Sequence, residues 1–123
     1  MSTIFVVDDD PLILDVLARI LATSFKVERF SSAPEVLARL AESPDLLLCD
    51  YHLPFRDGLE IACEAKKVSP KTRVVILSAG LEDERVRQSI KDGSIDRFLS
   101  KPFDCRALVK QLSELLARPP APS

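Results

Sequence analysis

The chain has 123 residues, of which 46% are hydrophobic and 29% are charged, the size and composition of one compact water-soluble domain. Seventeen lysine and arginine residues against nineteen aspartate and glutamate residues give a formal net charge of -2, so we expect no general attraction to nucleic acid or to an anionic membrane. The apolar stretch nearest the N-terminus is short and precedes three aspartates, which predicts neither a signal peptide nor a membrane span and favours a cytoplasmic location.

Short apolar runs alternate with amphipathic stretches along the first half of the chain. Such runs, bounded by polar or turn residues, predict buried parallel strands separated by helices. The predicted elements are, in order, a strand over 3–7, a helix beginning at Pro11, a strand over 26–30, a helix over 32–42 capped by Ser32, and a strand over 46–49.

The same alternation continues through the second half and ends in a proline-rich segment. The predicted elements are a helix ending at about Val68, a strand over 73–77, a helix over 82–92, a strand over 95–99, a helix over 104–118, and a tail or linker over 119–123. Residues 1–118 are therefore predicted to form one domain. The fourth helix is the most polar, because Val86 and Ile90 are its only large apolar residues beyond Leu81, and we expect it to be the least firmly docked.

Polar side chains follow four of the predicted strands. Asp8 and Asp9 follow the first strand, Asp50 the third, Ser78 the fourth and Lys101 the fifth. Parallel strands all end at the same edge of a sheet, and open α/β sheets build their sites at that edge. The sequence therefore predicts that three carboxylates, a hydroxyl and an ammonium group converge there.

Such an edge has a definite chemistry. Carboxylates about 5 Å apart repel one another by about 3 kcal/mol per pair at an effective dielectric near 20. A hard divalent cation offsets this repulsion, and Mg²⁺ prefers one or two carboxylates together with water and phosphate oxygens. Asp50 stands alone after the central strand and is the candidate nucleophile for a phosphoryl group, whereas the doublet Asp8 and Asp9 suits metal binding and Lys101 supplies a compact positive charge.

The three cysteines, Cys49, Cys63 and Cys105, are odd in number, widely spaced and without a CxxC pattern. This arrangement argues against a disulfide framework and against a zinc site. We interpret them as reduced thiols in the core or on the surface.

Several segments, taken in order, carry a resemblance to a known family. They are Val6-Val7-Asp8-Asp9-Asp10, Asp50-Tyr51-His52-Leu53-Pro54, Asp57-Gly58, Ser78-Ala79 and Lys101-Pro102-Phe103. Over essentially its whole length, the chain resembles the receiver (CheY-like) domain of two-component response regulators. The resemblance implies a flavodoxin-like, doubly wound fold with a five-stranded parallel sheet in the order 2-1-3-4-5 and five helices.

The resemblance also implies the roles of the acidic residues. Asp50 would accept a phosphoryl group from a histidine kinase or a phosphotransfer protein. Asp9 and Asp50 would bind Mg²⁺ directly, the backbone carbonyl of His52 would be a third protein ligand, and Asp8 would act mainly through water. The chain would then be a signalling module that assists only its own phosphorylation and dephosphorylation, and not an enzyme.

A switch is implied as well. Ser78 would hydrogen-bond the phosphoryl oxygens, Lys101 would pair with them, and the peptide bond before Pro102 would be cis. Ser78 and Phe98 would remodel the face formed by the fourth helix, fifth strand and fifth helix, and burial of the Phe98 ring would carry the signal. That face would bind a downstream effector domain or protein. The domain would be a monomer or weak dimer without direct contact to nucleic acid or membrane.

Two other functions remain open from the residues alone. Asp8 and Asp10 also match the nucleophile motif of haloacid-dehalogenase-type phosphatases, in which the first aspartate attacks and the second is the general acid or base. That alternative leaves Asp50 and Ser78 unexplained. The third hypothesis is a phosphorylation-independent interaction module. Dinucleotide binding is set aside because the three glycines are scattered and no glycine-rich loop follows the first strand.

Overall fold

The computed structural model describes residues 1–80 and 82–118, in which strands and helices alternate. In chain order they are β1 (Thr3–Val7), α1 (Pro11–Leu21), β2 (Lys26–Phe30), α2 (Ala33–Leu37), a 3₁₀ turn (Leu40–Glu42), β3 (Leu46–Asp50), α3 (Gly58–Val68), β4 (Arg73–Ser78), α4 (Glu84–Asp92), β5 (Arg97–Ser100) and α5 (Cys105–Ala117). All the strands are parallel, in the order β2-β1-β3-β4-β5. The predicted doubly wound fold is confirmed. The predicted tail, residues 119–123, lies outside the described residues.

Successive residues of the central strands point to opposite faces of the sheet, and helices cover both faces. On β1, Ile4 and Val6 pack in a cluster with α1 and α5, whereas Phe5 and Val7 pack in a cluster with α2, α3 and α4. β3 and β4 repeat this division. Strands buried on both faces need apolar residues at every position, which is why they read as continuous apolar runs. Each large aliphatic side chain buried in this way contributes about 1.5–3 kcal/mol.

Four helices begin at an aspartate that caps the helix. The carboxylate accepts a hydrogen bond from a backbone N–H of the first turn, which would otherwise lack a partner. An acidic cap is also favoured by the positive end of the helix dipole. The capping bonds join Asp10 to Leu12 at 2.9 Å, Asp57 to Glu60 at 2.9 Å, Asp83 to Val86 at 2.9 Å and Asp104 to Ala107 at 3.0 Å.

The second helix is shorter than predicted. α2 ends at Leu37 and is followed by the separate 3₁₀ turn, and no capping hydrogen bond from the Ser32 side chain is seen. Arg39 lies between the two segments with φ −114° and ψ 2°. Its guanidinium lies 5.5 Å from the centre of the Phe5 ring and forms an ion pair with Glu28 at 2.9 Å. These tertiary contacts fix a break that helix propensity does not reveal.

The last strand begins later than predicted. β5 starts at Arg97, two residues beyond the predicted start at residue 95. The reason lies in Asp96, whose carboxylate accepts a hydrogen bond from the Val74 backbone N–H at 2.7 Å and from Lys66 Nζ at 2.9 Å. The Asp96 carboxylate is thus the acceptor for the Val74 N–H, while the Asp96 backbone N–H donates to the Val74 carbonyl at 2.7 Å.

The fourth helix is attached to the sheet by few apolar side chains. α4 begins at Glu84, later than the predicted residue 82, because Asp83 is its cap. Val86 is its one fully buried residue, and Ile90 remains 40% exposed. Because little apolar surface is buried, this helix gains less from burial than α1, which buries four residues. The expectation of weak docking agrees with this pattern.

Candidate functional site

Three aspartates meet at the edge of the sheet where the strands end, called here the carboxyl edge. Asp8 follows β1 and is 1% exposed, Asp50 ends β3 and is 7% exposed, and Asp9 is exposed. One carboxylate oxygen from each lies within 4.8 Å of the others. Asp8 also accepts a hydrogen bond from the Asp10 backbone N–H at 2.9 Å, which fixes its orientation. The structure thus brings together the three carboxylates that the sequence predicted.

Lys101 reaches into this cluster from the end of β5. Its Nζ atom lies 3.1 Å from Asp8 Oδ2 and 3.3 Å from Asp50 Oδ1, and its side chain is 18% exposed. The backbone N–H of Lys101 donates to the carbonyl of Ser78 at 2.8 Å, so the neighbouring strand fixes the start of its loop. The Lys101–Pro102 peptide bond is cis, as the family resemblance implies.

The electrostatics of the cluster are unbalanced. Burial raises the pKa of the Asp50 carboxyl, the charge of Asp8 raises it further, and Lys101 offsets only part of this rise. Burial lowers the pKa of Lys101, but its hydrogen bonds with Asp8 and Asp50 and their negative charges outweigh burial, so the pKa lies above its ordinary value. One ammonium group faces three carboxylates, and the site retains an excess of negative charge.

The donor set fits a hard divalent cation. Three carboxylates with their oxygens within 4.8 Å of one another are oxygen ligands of the kind that Mg²⁺ and Ca²⁺ prefer, whereas zinc and copper sites favour imidazole or thiolate. The nearby Cys49 is fully buried, and burial raises the pKa of its thiol, which disfavours a thiolate ligand. Cys63 and Cys105 are exposed, and none of the three cysteines forms a disulfide.

The predicted switch residues lie on β4, which is next to the strand of Asp50, and on β5, which is one strand further along the sheet. Ser78 ends β4 and is 2% exposed, and its Oγ accepts a hydrogen bond from the Gly80 backbone N–H at 3.0 Å. Phe98 is paired in register with Ile76 and packs, partly buried, on the cluster beneath α3 and α4. Ser78 therefore lies at the carboxyl edge and Phe98 below it, on the side of the sheet that carries α4.

His52 occupies the loop after β3. It is exposed, forms an isolated antiparallel bridge with Asp57, and places its ring 4.8 Å from the ring of Tyr51. The predicted metal ligand in this residue is the backbone carbonyl, and that role stays a prediction. The histidine side chain is not part of the carboxylate cluster.

Gly58 is a site residue to which the sequence assigned no role. A Cβ atom at this position would lie 2.7 Å from the Asp50 carbonyl oxygen and 3.1 Å from the Tyr51 Cα. Its backbone N–H donates to the Tyr51 carbonyl at 2.7 Å. The first turn of α3 can approach the end of β3 this closely only because residue 58 lacks a side chain. The dipeptide Asp57-Gly58 was the available signal, but the close approach is a tertiary feature.

Fold and site together define a doubly wound α/β domain with an acidic cluster suited to a hard cation. Residues 4–113 match the family model described as the response regulator receiver domain. The chain belongs to this family, whose members are domains of two-component signalling proteins. The Asp10 carboxylate caps α1 by accepting from the Leu12 backbone N–H at 2.9 Å, and the acidic cluster consists of Asp8, Asp9 and Asp50.

Two curated relatives and one solved structure illustrate the similarity. The chain is 38% identical over 103 residues to the DNA-binding transcriptional regulator NtrC of Salmonella typhimurium, a match that covers 82% of this chain and 22% of NtrC. It is 33% identical over 124 residues to the transcriptional regulatory protein CpxR homolog of Haemophilus influenzae, covering 100% of this chain and 54% of that protein. The chain thus spans roughly half or less of the length of these relatives. The BeF3-activated receiver domain of DrrB, from Thermotoga maritima, matches with a TM-score of 0.87 and 30% identity, covering 96% of this chain and 99% of that one.

No helix within residues 1–80 and 82–118 is both long enough and apolar enough to cross a bilayer.

Proposed function

We propose that this receiver domain accepts a phosphoryl group on Asp50 from a histidine kinase or a phosphotransfer protein. The observation that carries the proposal is the charge imbalance at the carboxyl edge, where Lys101 faces three carboxylates whose oxygens lie within 4.8 Å of one another. Uncompensated negative charge in a partly buried site is costly. Its retention is expected where a cation and a phosphoryl group are to be bound.

Asp50 is assigned as the phosphoacceptor. Its Oδ1 atom is held by Lys101 at 3.3 Å, so we assign the attack on phosphorus to Oδ2. The new Oδ2–P bond forms while the P–N bond to the donor imidazole breaks, and the electron pair of that bond leaves with the imidazole nitrogen. The result is an acyl phosphate on Asp50.

The acidic cluster is proposed to hold Mg²⁺. Asp9 and Asp50 would bind the ion directly, Asp8 would contact it mainly through water, and the His52 backbone carbonyl would be the third protein ligand. When bound, Mg²⁺ supplies positive charge that offsets the repulsion between the carboxylates and the incoming phosphoryl oxygens. The Ser78 hydroxyl donates to a phosphoryl oxygen, and the Lys101 ammonium group pairs with another.

The signal is proposed to leave through the face formed by α4, β5 and α5. The Ser78 hydroxyl moves toward the phosphoryl oxygens and vacates space beneath α4. Phe98 then buries its ring in that space. A downstream effector domain or protein recognises the altered face. As the resemblance implies, the domain acts in the cytoplasm, is a monomer or weak dimer, and contacts neither nucleic acid nor membrane directly.

Phosphorylation of the full chain tests the proposal. Incubation with acetyl phosphate and Mg²⁺ should add one phosphoryl group, which peptide mass spectrometry should locate on Asp50, and Asp50→Asn should abolish the modification. Labelling of Asp8 with steady turnover of a phosphate ester would instead support the phosphatase hypothesis. A folded protein that takes up no phosphoryl group from acetyl phosphate or from phosphohistidine donors would support the phosphorylation-independent module.

A further inference from the structure

Two side-chain contacts outside the carboxylate cluster link the N-terminus of α4 to its surroundings, one to the loop after β3 and one to the N-terminus of α3. Each capping aspartate uses one oxygen for its own helix and the other for a partner outside that helix. Asp83 Oδ2 accepts a hydrogen bond from the Tyr51 hydroxyl at 3.2 Å. Asp57 Oδ2 lies 2.9 Å from Arg85 Nη2. These two contacts, Tyr51 with Asp83 and Asp57 with Arg85, are called here the N-cap clasp.

Tyr51 is well placed to link the loop after β3 to the N-terminus of α4, because it follows Asp50 directly in the chain. Its backbone N–H donates to the Leu77 carbonyl at 2.9 Å, and its carbonyl accepts from Gly58 at 2.7 Å. Its side chain is only 8% exposed. Because its backbone is hydrogen-bonded on both sides and the residue is buried, Tyr51 presents its hydroxyl to Asp83 from a fixed position.

The clasp matters because α4 has little else to fix its N-terminal end. Val86 is the one fully buried residue of the helix. The Asp57–Arg85 pair is weak by itself, since the Arg85 side chain is 61% exposed. The less exposed Tyr51–Asp83 contact should therefore contribute more of the attachment than the ion pair.

We propose that the N-cap clasp ties α4 to the loop after Asp50 and opposes displacement of α4 when the site is occupied. The second part rests on the proposed function. Only four residues separate Ser78 from Asp83, so movement of Ser78 toward a phosphoryl group pulls on the cap of α4 and strains its contact with Tyr51. A contact that favours the unoccupied arrangement lowers the affinity of the site for its ligand, and by linkage its removal raises that affinity.

The first experiment compares amide hydrogen exchange in Tyr51→Phe, Arg85→Ala and the double variant with wild type. Arg87→Ala is the matched control, because Arg87 is 55% exposed and its contacts with Glu84 at 3.1 Å and with the Glu82 carbonyl at 3.3 Å do not reach α3 or the loop after β3. We expect exchange in α4 to rise roughly three- to tenfold in Tyr51→Phe, the range expected for one hydrogen bond. The increase should be smaller in Arg85→Ala and absent in Arg87→Ala, with the central strands unchanged in all variants.

The second experiment titrates the same proteins with beryllofluoride at saturating Mg²⁺. Tyr51→Phe should bind roughly three- to tenfold more tightly than wild type, and Arg87→Ala should match wild type. A purely structural role for the hydroxyl would not produce a gain in affinity. Equal exchange of α4 in Tyr51→Phe and Arg87→Ala would show that the clasp does not hold α4. A Tyr51→Phe variant that binds beryllofluoride no more tightly than wild type would show that the clasp does not oppose displacement of α4. If wild type failed to bind beryllofluoride, the proposed function would fail, while hydrogen exchange would still decide whether the clasp exists.

Discussion

The two edges of the sheet each hold a partly buried lysine paired with aspartate, and they differ in charge balance. At the amino edge, where the strands begin, Lys66 Nζ lies 2.9 Å from Asp96 Oδ2 and donates to the Thr72 carbonyl at 2.8 Å. Asp96 also accepts from the Val74 backbone N–H at 2.7 Å. One cation meets one anion, and backbone groups complete the hydrogen bonds of both.

The carboxyl edge has the same types of group in a different ratio. Lys101 contacts both Asp8 and Asp50, and Asp9 lies beside them. Paired and hydrogen-bonded charges can be buried without large cost, whereas unbalanced ones cannot. The amino edge therefore stabilises the fold. The carboxyl edge carries an excess of negative charge that the proposed cation would offset, which is the pattern expected of a functional site.

Removal of the ion pair at the amino edge should have the largest effect on the free energy of unfolding. Asp96→Ala removes the partner of Lys66 and the acceptor for the Val74 N–H, so we expect a loss of about 3 kcal/mol in the free energy of unfolding. Urea denaturation measures this. The exposed Glu64–Lys67 pair at 3.9 Å gives the control, and Glu64→Ala should change stability by less than about 0.5 kcal/mol. Similar losses in both variants would remove the distinction between the buried and the surface pair.

A steric change at the carboxyl edge should rank second. Gly58→Ala places a Cβ 2.7 Å from the Asp50 carbonyl, and we expect a loss of about 2 kcal/mol because backbone must shift. Gly80→Ala is the matched control, since the nearest atom to its Cβ would be Ser78 Oγ at an ordinary 3.5 Å. Phosphorylation by acetyl phosphate should also slow in Gly58→Ala. Equal stability of the two variants would show that α3 can withdraw from β3 without cost.

Metal binding should reduce the charge imbalance that distinguishes the carboxyl edge from the amino edge. Mg²⁺ at roughly ten times its Kd should stabilise the wild type by about 1.4 kcal/mol. Asp9→Asn should be slightly more stable than wild type in EDTA, because one source of repulsion is removed, and should gain much less from Mg²⁺. Thermal unfolding with EDTA and with Mg²⁺ gives both comparisons. An unchanged gain from Mg²⁺ would contradict the assignment of Asp9 as a ligand.

The smallest expected effect is a pH dependence that belongs to the carboxyl edge. The pKa of Asp50 is raised in the folded state, chiefly by burial, so its carboxylate form costs stability. That cost is absent below the ordinary pKa of the unfolded chain, about 3.9, and develops as pH rises through the folded value. In EDTA, Asp50→Asn should therefore be more stable than wild type near pH 7, with a difference that shrinks toward pH 4. A difference that grows on acidification would mean that Lys101 outweighs burial.

The sequence by itself determined the element order and the edge at which the polar residues gather. Apolar runs of strand length are each followed by a charged or hydroxyl side chain. Once the strands are inferred to be parallel, these side chains must lie at the same edge of the sheet, because all such strands end there. The convergence of Asp8, Asp9, Asp50 and Lys101 followed from that rule, and the structure places them together.

Only the tertiary structure decided the contacts made between elements. The break in the second helix depends on Arg39 lying against the Phe5 ring, and the late start of β5 depends on the Asp96 carboxylate accepting a hydrogen bond from the Val74 N–H. The Tyr51–Asp83 contact joins residues 32 positions apart. Local propensity and periodicity reflect neighbours within a turn or two of the chain, whereas these contacts depend on which side chains packing brings face to face across the sheet and between helices.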